Sequence, residues 1–168
     1  LYSSAASDVY KRQQLLGAFV GAILAWAAFK QLFDANGVDD NGNPTNANAE
    51  TGGNFFTAPV HPNNFWNAVT EFIATFVLLA FILFRPAGGE LGPLTYFGVS
   101  FIIVSIGLSL GSPTGYAINP VRDLGPRLAY AFVLPIKGKG DANWSYAWVP
   151  IVAPMLAAVA TVSYTHLT

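Results

Sequence analysis

Four apolar stretches, each about as long as a helix that crosses a hydrocarbon layer, dominate this sequence. They run over residues 14–33, 65–84, 93–111 and 144–162. A spanning helix needs about 20 apolar residues, and none of the stretches shows the strict alternation of a membrane barrel strand. The alternative is a soluble bundle of buried helices, but four such stretches with so few charges are hard to cover in water. We therefore expect an all-α membrane protein with four transmembrane helices.

The composition narrows the possible functions. Charged residues make up 10 % of the chain, against about a quarter in an average soluble domain. The formal net charge of −1 offers no basic surface for nucleic acid. Without cysteine the chain has no disulfide, no thiolate nucleophile and no thiolate metal site. The apolar stretches hold no Ser-His pair and no paired catalytic carboxylates, so we expect a non-enzyme without cofactor or metal, with the lipid bilayer as its environment.

The two ends of the chain differ from the rest. Residues 1–13 form a polar run that adjoins the first apolar stretch directly, and residues 163–168 interrupt the last one. We expect both segments to be non-native, with genuine short tails as the alternative. Residues 34–64 are rich in Asn, Gly, Thr and Pro, a composition typical of solvated turns. The native part is then expected to be residues 14–162, a fragment of a longer chain.

A polar motif interrupts the apolar sequence between the third and fourth stretches. Residues 115–123 read Gly-Tyr-Ala-Ile-Asn-Pro-Val-Arg-Asp. Asn is a favoured helix N-cap and Pro is favoured at the first helical position, so the pair predicts a helix over residues 119–132. That is about half the length of a full crossing. An arginine near the bilayer centre costs about 3 kcal/mol, which indicates a polar task for Arg122.

A half-helix that starts near the bilayer midplane has a definite electrostatic character. Its first N–H groups and its positive dipole end face inward. Non-helical backbone at this depth is tolerated only beside protein or a water-filled cavity. Residues 115–118 would then present carbonyl oxygens to such a cavity, while Asn119 and Arg122 present donors. This arrangement would pass neutral hydrogen-bonding solutes and reject cations and protons. From these residues alone, an ordinary extramembrane turn before a capped helix stays open.

The longer motif resembles a known family. Residues 115–127, Gly-Tyr-Ala-Ile-Asn-Pro-Val-Arg-Asp-Leu-Gly-Pro-Arg, resemble the second Asn-Pro-Ala box of the aquaporin superfamily (major intrinsic proteins) in its glycerol-facilitator branch. The box of that branch reads Gly-Phe-Ala-x-Asn-Pro-Ala-Arg-Asp-Phe-Gly-Pro-Arg/Lys. The resemblance covers residues 14–162 and implies a partial aquaporin-like bundle holding the third to sixth spans and one re-entrant half-helix. It also implies a homotetramer in the plasma membrane with one pore per subunit.

The resemblance implies a role for each matching residue. The selectivity filter would comprise Gly107, Tyr116 and Arg122. The pore-lining box would be Asn119, Pro120 and Val121. A ladder of acceptor carbonyls would come from Gly115, Tyr116 and Ala117. Positions that tend to separate glycerol facilitators from water channels agree with the facilitator branch: Phe29, Asp123, Arg127, Pro150 and Ile151.

One buried acid admits two interpretations. Glu71 lies inside the second apolar stretch, either as a pore-lining acid or as a brace for loop N–H groups. The family places a structural glutamate here, so we favour the brace. Two residues depart from the box of the family, because Val121 replaces alanine and Tyr116 replaces phenylalanine. With these two departures, glycerol stands only for a class of solutes, and urea or another small neutral solute stays open.

Together these inferences predict a passive channel for glycerol or similar small neutral solutes, with water, that excludes ions and protons. The fragment is expected to be inactive alone, since the missing spans supply the opposite pore wall. The first alternative is a water-selective channel, which predicts a bulky residue or histidine at position 107 instead of glycine. The second is an ion-coupled secondary transporter, for which only Glu71 and Asp123 offer acidic groups near the break.

Overall fold

The computed structural model describes residues 4–84 and 94–167, and the described chain is helical. Within these ranges the structure has no strand, apart from a single bridge between Val38 and Pro44. The all-α class is therefore confirmed. Residue 93, the predicted start of the third stretch, and parts of both terminal segments lie outside the described residues. The helices are α1 (Ser4–Ala28), α2 (Lys30–Asn36), α3 (Asn64–Phe84), α4 (Leu94–Thr114), α5 (Pro120–Phe132), α6 (Val149–Leu167) and a 3₁₀ helix (Ala47–Asn54).

The chain forms two compact units. Unit 1 comprises Leu1–Phe56 and Val121–Ser145, and unit 2 comprises Thr57–Pro120 and Tyr146–Thr168. Unit 1 thus contains α1, α2, the 3₁₀ helix and nearly all of α5. Unit 2 contains α3, α4 and α6, together with the loop that leads into α5.

Unit 1 is built around a cluster of aromatic rings. Phe55 stacks on Phe33 with 5.8 Å between ring centroids, and Tyr130 of α5 lies 5.6 Å from Phe55 and 5.3 Å from Phe56. All four side chains are buried. Beside this core, α5 approaches α1 closely at Gly125. A Cβ atom there would lie 2.7 Å from the Cβ of Ala18. Only a residue without a side chain fits that position.

Unit 2 is a three-helix assembly in which α3 packs against both α4 and α6. Small residues are buried where these helices meet: Ala74 on α3, and Ala153 and Ala157 on α6. Small side chains allow close helix approach in lipid, where helix association has little hydrophobic drive. Gly17 and Gly21 of α1 are four residues apart, like Ala153 and Ala157. They face open space, since a Cβ added at either glycine would meet nothing within 4 Å.

The first predicted span differs from the structure. Residues 14–33 were expected to form one helix, but α1 begins at Ser4 and the helical path bends by 65° between α1 and α2. The break at Phe29 falls just before Lys30-Gln31, where the apolar sequence ends. The bent path brings Phe33 into the aromatic cluster of unit 1. Hydropathy alone carried no signal for this bend.

The last predicted span also differs at its start. Residues 144–148 form turns, and α6 begins at Val149, five positions later than residue 144. Pro150 lies in the first turn of α6, where its missing N–H group is tolerated. The end of α6, Leu167, also lies five residues beyond the predicted residue 162, and the remaining predicted bounds within the described residues lie within three residues of those observed. Asn119, the predicted first residue of the half-helix, directly precedes α5.

Two of the described helices are long and apolar enough to cross a membrane, Asn64–Phe84 and Tyr96–Thr114. The bent α1–α2 pair would make a third if it counts as one span. The apolar part of α6, Val149–Thr165, is shorter than these. The helices therefore have the length and composition of an all-α integral membrane protein.

Candidate functional site

The loop between α4 and α5 has an unusual backbone. Gly115, Tyr116 and Ile118 have positive φ angles of 76°, 41° and 43°. Glycine adopts such angles freely, but a bulky or β-branched residue does so at a cost of about 1–3 kcal/mol. A strained loop of this kind persists only when surrounding contacts hold it. The left-handed residues therefore point to a loop whose shape serves a purpose.

Glu71 of α3 supplies the contacts that hold the loop. Its carboxylate is fully buried. Oε1 accepts hydrogen bonds from the Thr114 hydroxyl at 2.7 Å and from the Ala117 N–H at 2.9 Å, and Oε2 accepts one from the Ile118 N–H at 2.9 Å. Bonds to a charged group contribute about 1.5–3 kcal/mol each, enough together to offset the strain. Of the two roles that the sequence allowed, this geometry favours the brace.

The same bonds determine where two backbone carbonyls point. In a trans peptide the N–H and the preceding C=O point in opposite directions, and the described residues contain no cis peptide bond. The N–H groups of Ala117 and Ile118 point at Glu71. The carbonyl oxygens of Tyr116 and Ala117 therefore point away from it. Two of the three carbonyls of the predicted ladder are thus turned away from the buried brace.

Gly115, the third ladder residue, is required by space as well as by its φ angle. A Cβ atom at this position would lie 3.2 Å from Cγ2 of Thr57. The N–H of Gly115 donates to the Gly111 carbonyl at 2.8 Å, so the loop leaves α4 directly from its last turn. Any side chain at position 115 would meet both a steric contact and a disfavoured backbone angle.

The ring of Tyr116 lies over two glycines of α4. A Cβ atom on Gly107 would lie 3.0 Å from the ring carbon Cζ, and one on Gly111 would lie 2.8 Å from Cδ1. The structure thus brings together Gly107 and Tyr116, two of the three predicted filter residues. Tyr116 as a whole keeps 40 % of its surface exposed. An alanine at position 107 would displace this ring.

Arg122, the third predicted filter residue, lies in the first turn of α5 and belongs to unit 1. Arg122 is solvent-exposed, and its Nη1 donates to the Phe55 carbonyl at 3.0 Å. The Phe55 ring is itself held in the aromatic cluster by Phe33 and Tyr130. A backbone oxygen from a rigidly packed segment therefore orients the guanidinium.

Asp123 and Arg127 form a fully buried ion pair within α5. The Nε of Arg127 donates to Oδ1 of Asp123 at 2.7 Å, and its Nη1 donates to the carbonyls of Ala142 and Asn143. The guanidinium also lies 4.2 Å from the ring centroid of Phe56. A buried charge needs this degree of pairing. The pair attaches α5 to the loop that follows it, so Asp123 and Arg127, two of the five predicted branch-diagnostic residues, lie in the interior of unit 1.

The remaining predicted residues lie at the start of α5, at the α1–α2 break and at the start of α6. Asn119 is exposed, whereas Pro120 and Val121 are half-buried. Phe29 lies at the α1–α2 break and lines a cavity of about 770 Å³ with Asn54 and Phe55 among others. Pro150 is buried and Ile151 half-buried in the first turn of α6. In the part of the chain that the structure describes, no group of three His, Cys, Asp or Glu side chains is placed to hold a metal.

Sequence reasoning missed three contributors to this site. Thr114 donates to Glu71, the Phe55 carbonyl accepts from Arg122, and Asn48 lies fully buried in the 3₁₀ helix. The Phe55-Phe56 pair inside a polar loop was a signal of burial. The acceptor role of a backbone carbonyl has no sequence signal, because every residue carries one.

Apolar helices with a braced, strained loop at the mouth of a short helix define an integral membrane protein with a specialised polar segment. The sequence model of the family described as "Major intrinsic protein" matches residues 3–164. The chain therefore belongs to the major intrinsic protein family.

Curated relatives point to one branch of this family. The chain is 45 % identical over 148 residues to the glycerol uptake facilitator protein of Bacillus subtilis (strain 168), covering 88 % of this chain and 50 % of the relative. It is 44 % identical over 150 residues to a probable glycerol uptake facilitator protein of Thermotoga maritima, covering 89 % and 60 %. The glycerol uptake facilitator protein of Streptococcus pneumoniae serotype 4 is 40 % identical over 157 residues, with 91 % and 61 % covered. The chain thus spans between about half and three-fifths of the length of these relatives.

Proposed function

We propose that the whole protein is a passive channel for glycerol or similar small neutral solutes, and for water. One observation carries the proposal: the N–H groups of Ala117 and Ile118 are bound by Glu71, so the carbonyls of Tyr116 and Ala117 are turned the other way. Backbone acceptors presented in this way can replace the water around a hydroxylated solute. The names of the glycerol uptake facilitators support the choice of solute class.

The same segment accounts for the rejection of ions. The carbonyls are followed along the chain by the N-terminal end of α5, where the helix dipole gives a positive potential. Arg122 adds a full positive charge in the first turn. A cation meets repulsion at this point, whereas a neutral solute meets acceptors followed by donors. No bond is made or broken, so the protein works as a channel and not as an enzyme.

We assign the filter to Gly107, Tyr116 and Arg122, as the resemblance implied. Glycine at position 107 leaves space that the Tyr116 ring partly occupies. The ring would present an apolar face to the carbon atoms of the solute. Arg122 would donate to its hydroxyl groups. The Tyr116 hydroxyl, absent from the phenylalanine of the family's box, would add a polar contact or narrow the passage.

The two alternatives, a water-selective channel and an ion-coupled transporter, can each be distinguished from a glycerol channel. A water-selective channel would need bulk at position 107, where this chain has glycine. An ion-coupled transporter would need acidic groups available to an ion. Glu71 is occupied by loop donors and Asp123 by Arg127, so these carboxylates serve the architecture instead. We further propose, from the resemblance alone, a homotetramer in the plasma membrane.

A flux assay in proteoliposomes tests the proposal. The 168-residue chain would be compared with a completed version, joined to the part of the Bacillus subtilis relative that its alignment leaves uncovered. We expect glycerol and water flux from the completed version without any ion gradient, and none from the chain alone. Gly107→Trp should suppress glycerol flux in the completed version more than water flux.

Each other result has a definite meaning. Water flux without glycerol flux would refute the polyol assignment and indicate a water channel. Glycerol flux that requires a sodium or proton gradient would indicate a transporter. Measurable glycerol flux from the 168-residue chain would refute the expectation that the pore wall is incomplete.

A further inference from the structure

Asn48 occupies an unusual position in unit 1. The residue lies in the 3₁₀ helix and is fully buried, although its loop is otherwise polar and mostly exposed. Its Nδ2 donates to the Phe33 carbonyl at 2.9 Å and to the Lys137 carbonyl at 2.8 Å. Its Oδ1 accepts a hydrogen bond from Nδ2 of Asn36 at 3.2 Å. One amide therefore joins α2, the 3₁₀ helix and the loop after α5.

The backbone around Asn48 is packed too closely to shift. A Cβ atom at Gly140 would lie 2.2 Å from the Ala49 carbonyl oxygen, and one at Gly138 would lie 2.7 Å from that of Thr45. Gly138 also has a φ angle of 68°, which favours glycine. The loop after α5 therefore lies directly on the backbone of the 3₁₀ helix, with the Asn48 amide at their junction.

A short path leads from this junction to Arg122. The 3₁₀ helix ends at Asn54, and the N–H of the next residue, Phe55, donates to the Gly52 carbonyl at 2.9 Å. The carbonyl of Phe55 accepts from Arg122, while its ring stacks on Phe33. Asn48 binds the carbonyl of that same Phe33. The segment that carries the Phe55 oxygen is thus held at both ends.

We propose that Asn48 is a positioning residue that sets where the Arg122 guanidinium lies, and thereby tunes which solutes pass. Asn48 itself touches no solute. The selectivity part of this inference rests on the proposed function, in which Arg122 donates to the solute. The positioning part rests only on the contacts of unit 1.

The substitution Asn48→Asp tests the inference because it keeps the shape and removes the donors. A carboxylate still accepts from Asn36, but it faces the carbonyls of Phe33 and Lys137, which are also acceptors. Asn46→Asp is the matched control, since Asn46 lies at the start of the same 3₁₀ helix, is exposed and makes no side-chain cap bond. Asn48→Ser keeps one donor and serves if the aspartate variant does not fold.

The first measurement concerns geometry and uses the 168-residue chain in lipid. Solid-state NMR can report the distance between a ¹⁵N-labelled Arg122 side chain and a ¹³C-labelled Phe55 carbonyl. We expect this distance to lengthen in the Asn48 variant and to stay unchanged in the Asn46 variant. A distance unchanged in a folded Asn48 variant would overturn the inference.

The second measurement concerns selectivity and uses the completed version in proteoliposomes. The ratio of glycerol to water permeability does not depend on the amount of folded protein, so a merely structural role would leave it constant. If Asn48→Asp breaks the charged hydrogen bond from Arg122 to the Phe55 carbonyl, we expect the permeability ratio to change on the order of tenfold. No change is expected for Asn46→Asp. A constant ratio despite a lengthened distance would refute the filter role of Arg122 and leave the positioning role intact.

Discussion

Replacing Glu71 with glutamine should release the loop between α4 and α5 while leaving the helices folded. The carboxylate accepts from three donors, the Thr114 hydroxyl and the N–H groups of Ala117 and Ile118. A glutamine amide offers one oxygen and one NH₂ group. The oxygen can keep two of the bonds in neutral form. The NH₂ group then faces the third donor, and that N–H loses its partner.

The size of the effect follows from these bonds. Turning two charge-assisted bonds into neutral ones costs about 1 kcal/mol each, and leaving one N–H without an acceptor costs about 1–3 kcal/mol. A neutral amide is easier to bury than a carboxylate, which offsets part of this loss. We therefore expect the local opening free energy of the loop to fall by about 2–4 kcal/mol. Because each 1.4 kcal/mol is a factor of ten, amide exchange should accelerate between about thirtyfold and several hundredfold.

Hydrogen–deuterium exchange of the reconstituted chain can measure this prediction. The Ala117 and Ile118 amides should exchange faster in Glu71→Gln, whereas amides in the middle of α6 should not. Glu50→Gln is the control, because Glu50 is an exposed residue of the 3₁₀ helix. Unchanged exchange at both loop amides in a folded Glu71→Gln protein would refute the brace. Equal acceleration in α6 would show a global effect instead of a local one.

Two further predictions concern unit 1. Gly125→Ala should lower the melting temperature, because the added Cβ would meet the α1 backbone and overpacking costs about 1–3 kcal/mol. The control Gly17→Ala adds a methyl group in open space and should not lower the melting temperature. Equal melting temperatures of the two variants would contradict the close packing at Gly125. The hydrogen bonds from the Asn43 side chain and backbone lower the pKa of Asp39 below its ordinary value of 3.8. Because these bonds stabilise the charged carboxylate, the turn at residues 39–43 should be intact above pH 3.8 and open as the pH falls through the lowered pKa. A ¹³C NMR titration of the Asp39 carboxyl should show a midpoint below 3.8, and Asn43→Ala should raise that midpoint.

Much of the fold was predictable because its signals are local. The bounds of α3 differ from the predicted stretch by a single residue, since apolar residues run without interruption between polar loops. The start of α5 followed from one N-cap residue and one proline. The family and its facilitator branch followed from thirteen residues in a plausible membrane context. These features depend on neighbouring residues in the chain and not on distant contacts.

The misses have a common physical cause. The α1–α2 bend places Phe33 against Phe55, and a contact between residues so far apart leaves no mark in a hydropathy pattern. The predicted start of α6 is five residues too early, because the apolar sequence continues through the turns at residues 144–148. The contacts of Arg122 and Asn48 involve backbone carbonyls, which are chemically alike at every position. Only the folded chain shows which of them is used.

The orientation of the 115–118 peptides also bears on how such a protein can evolve. Oxygen atoms of the main chain are the same whatever side chain the gene encodes, so no point mutation can replace one directly. Substitutions in this segment can move these oxygen atoms only by changing the backbone torsion angles, so the backbone geometry at Tyr116 and Ile118 is what must be inherited. A lineage could therefore exchange side chains here and still keep an identical set of acceptors, provided that the glutamate behind them stays in place.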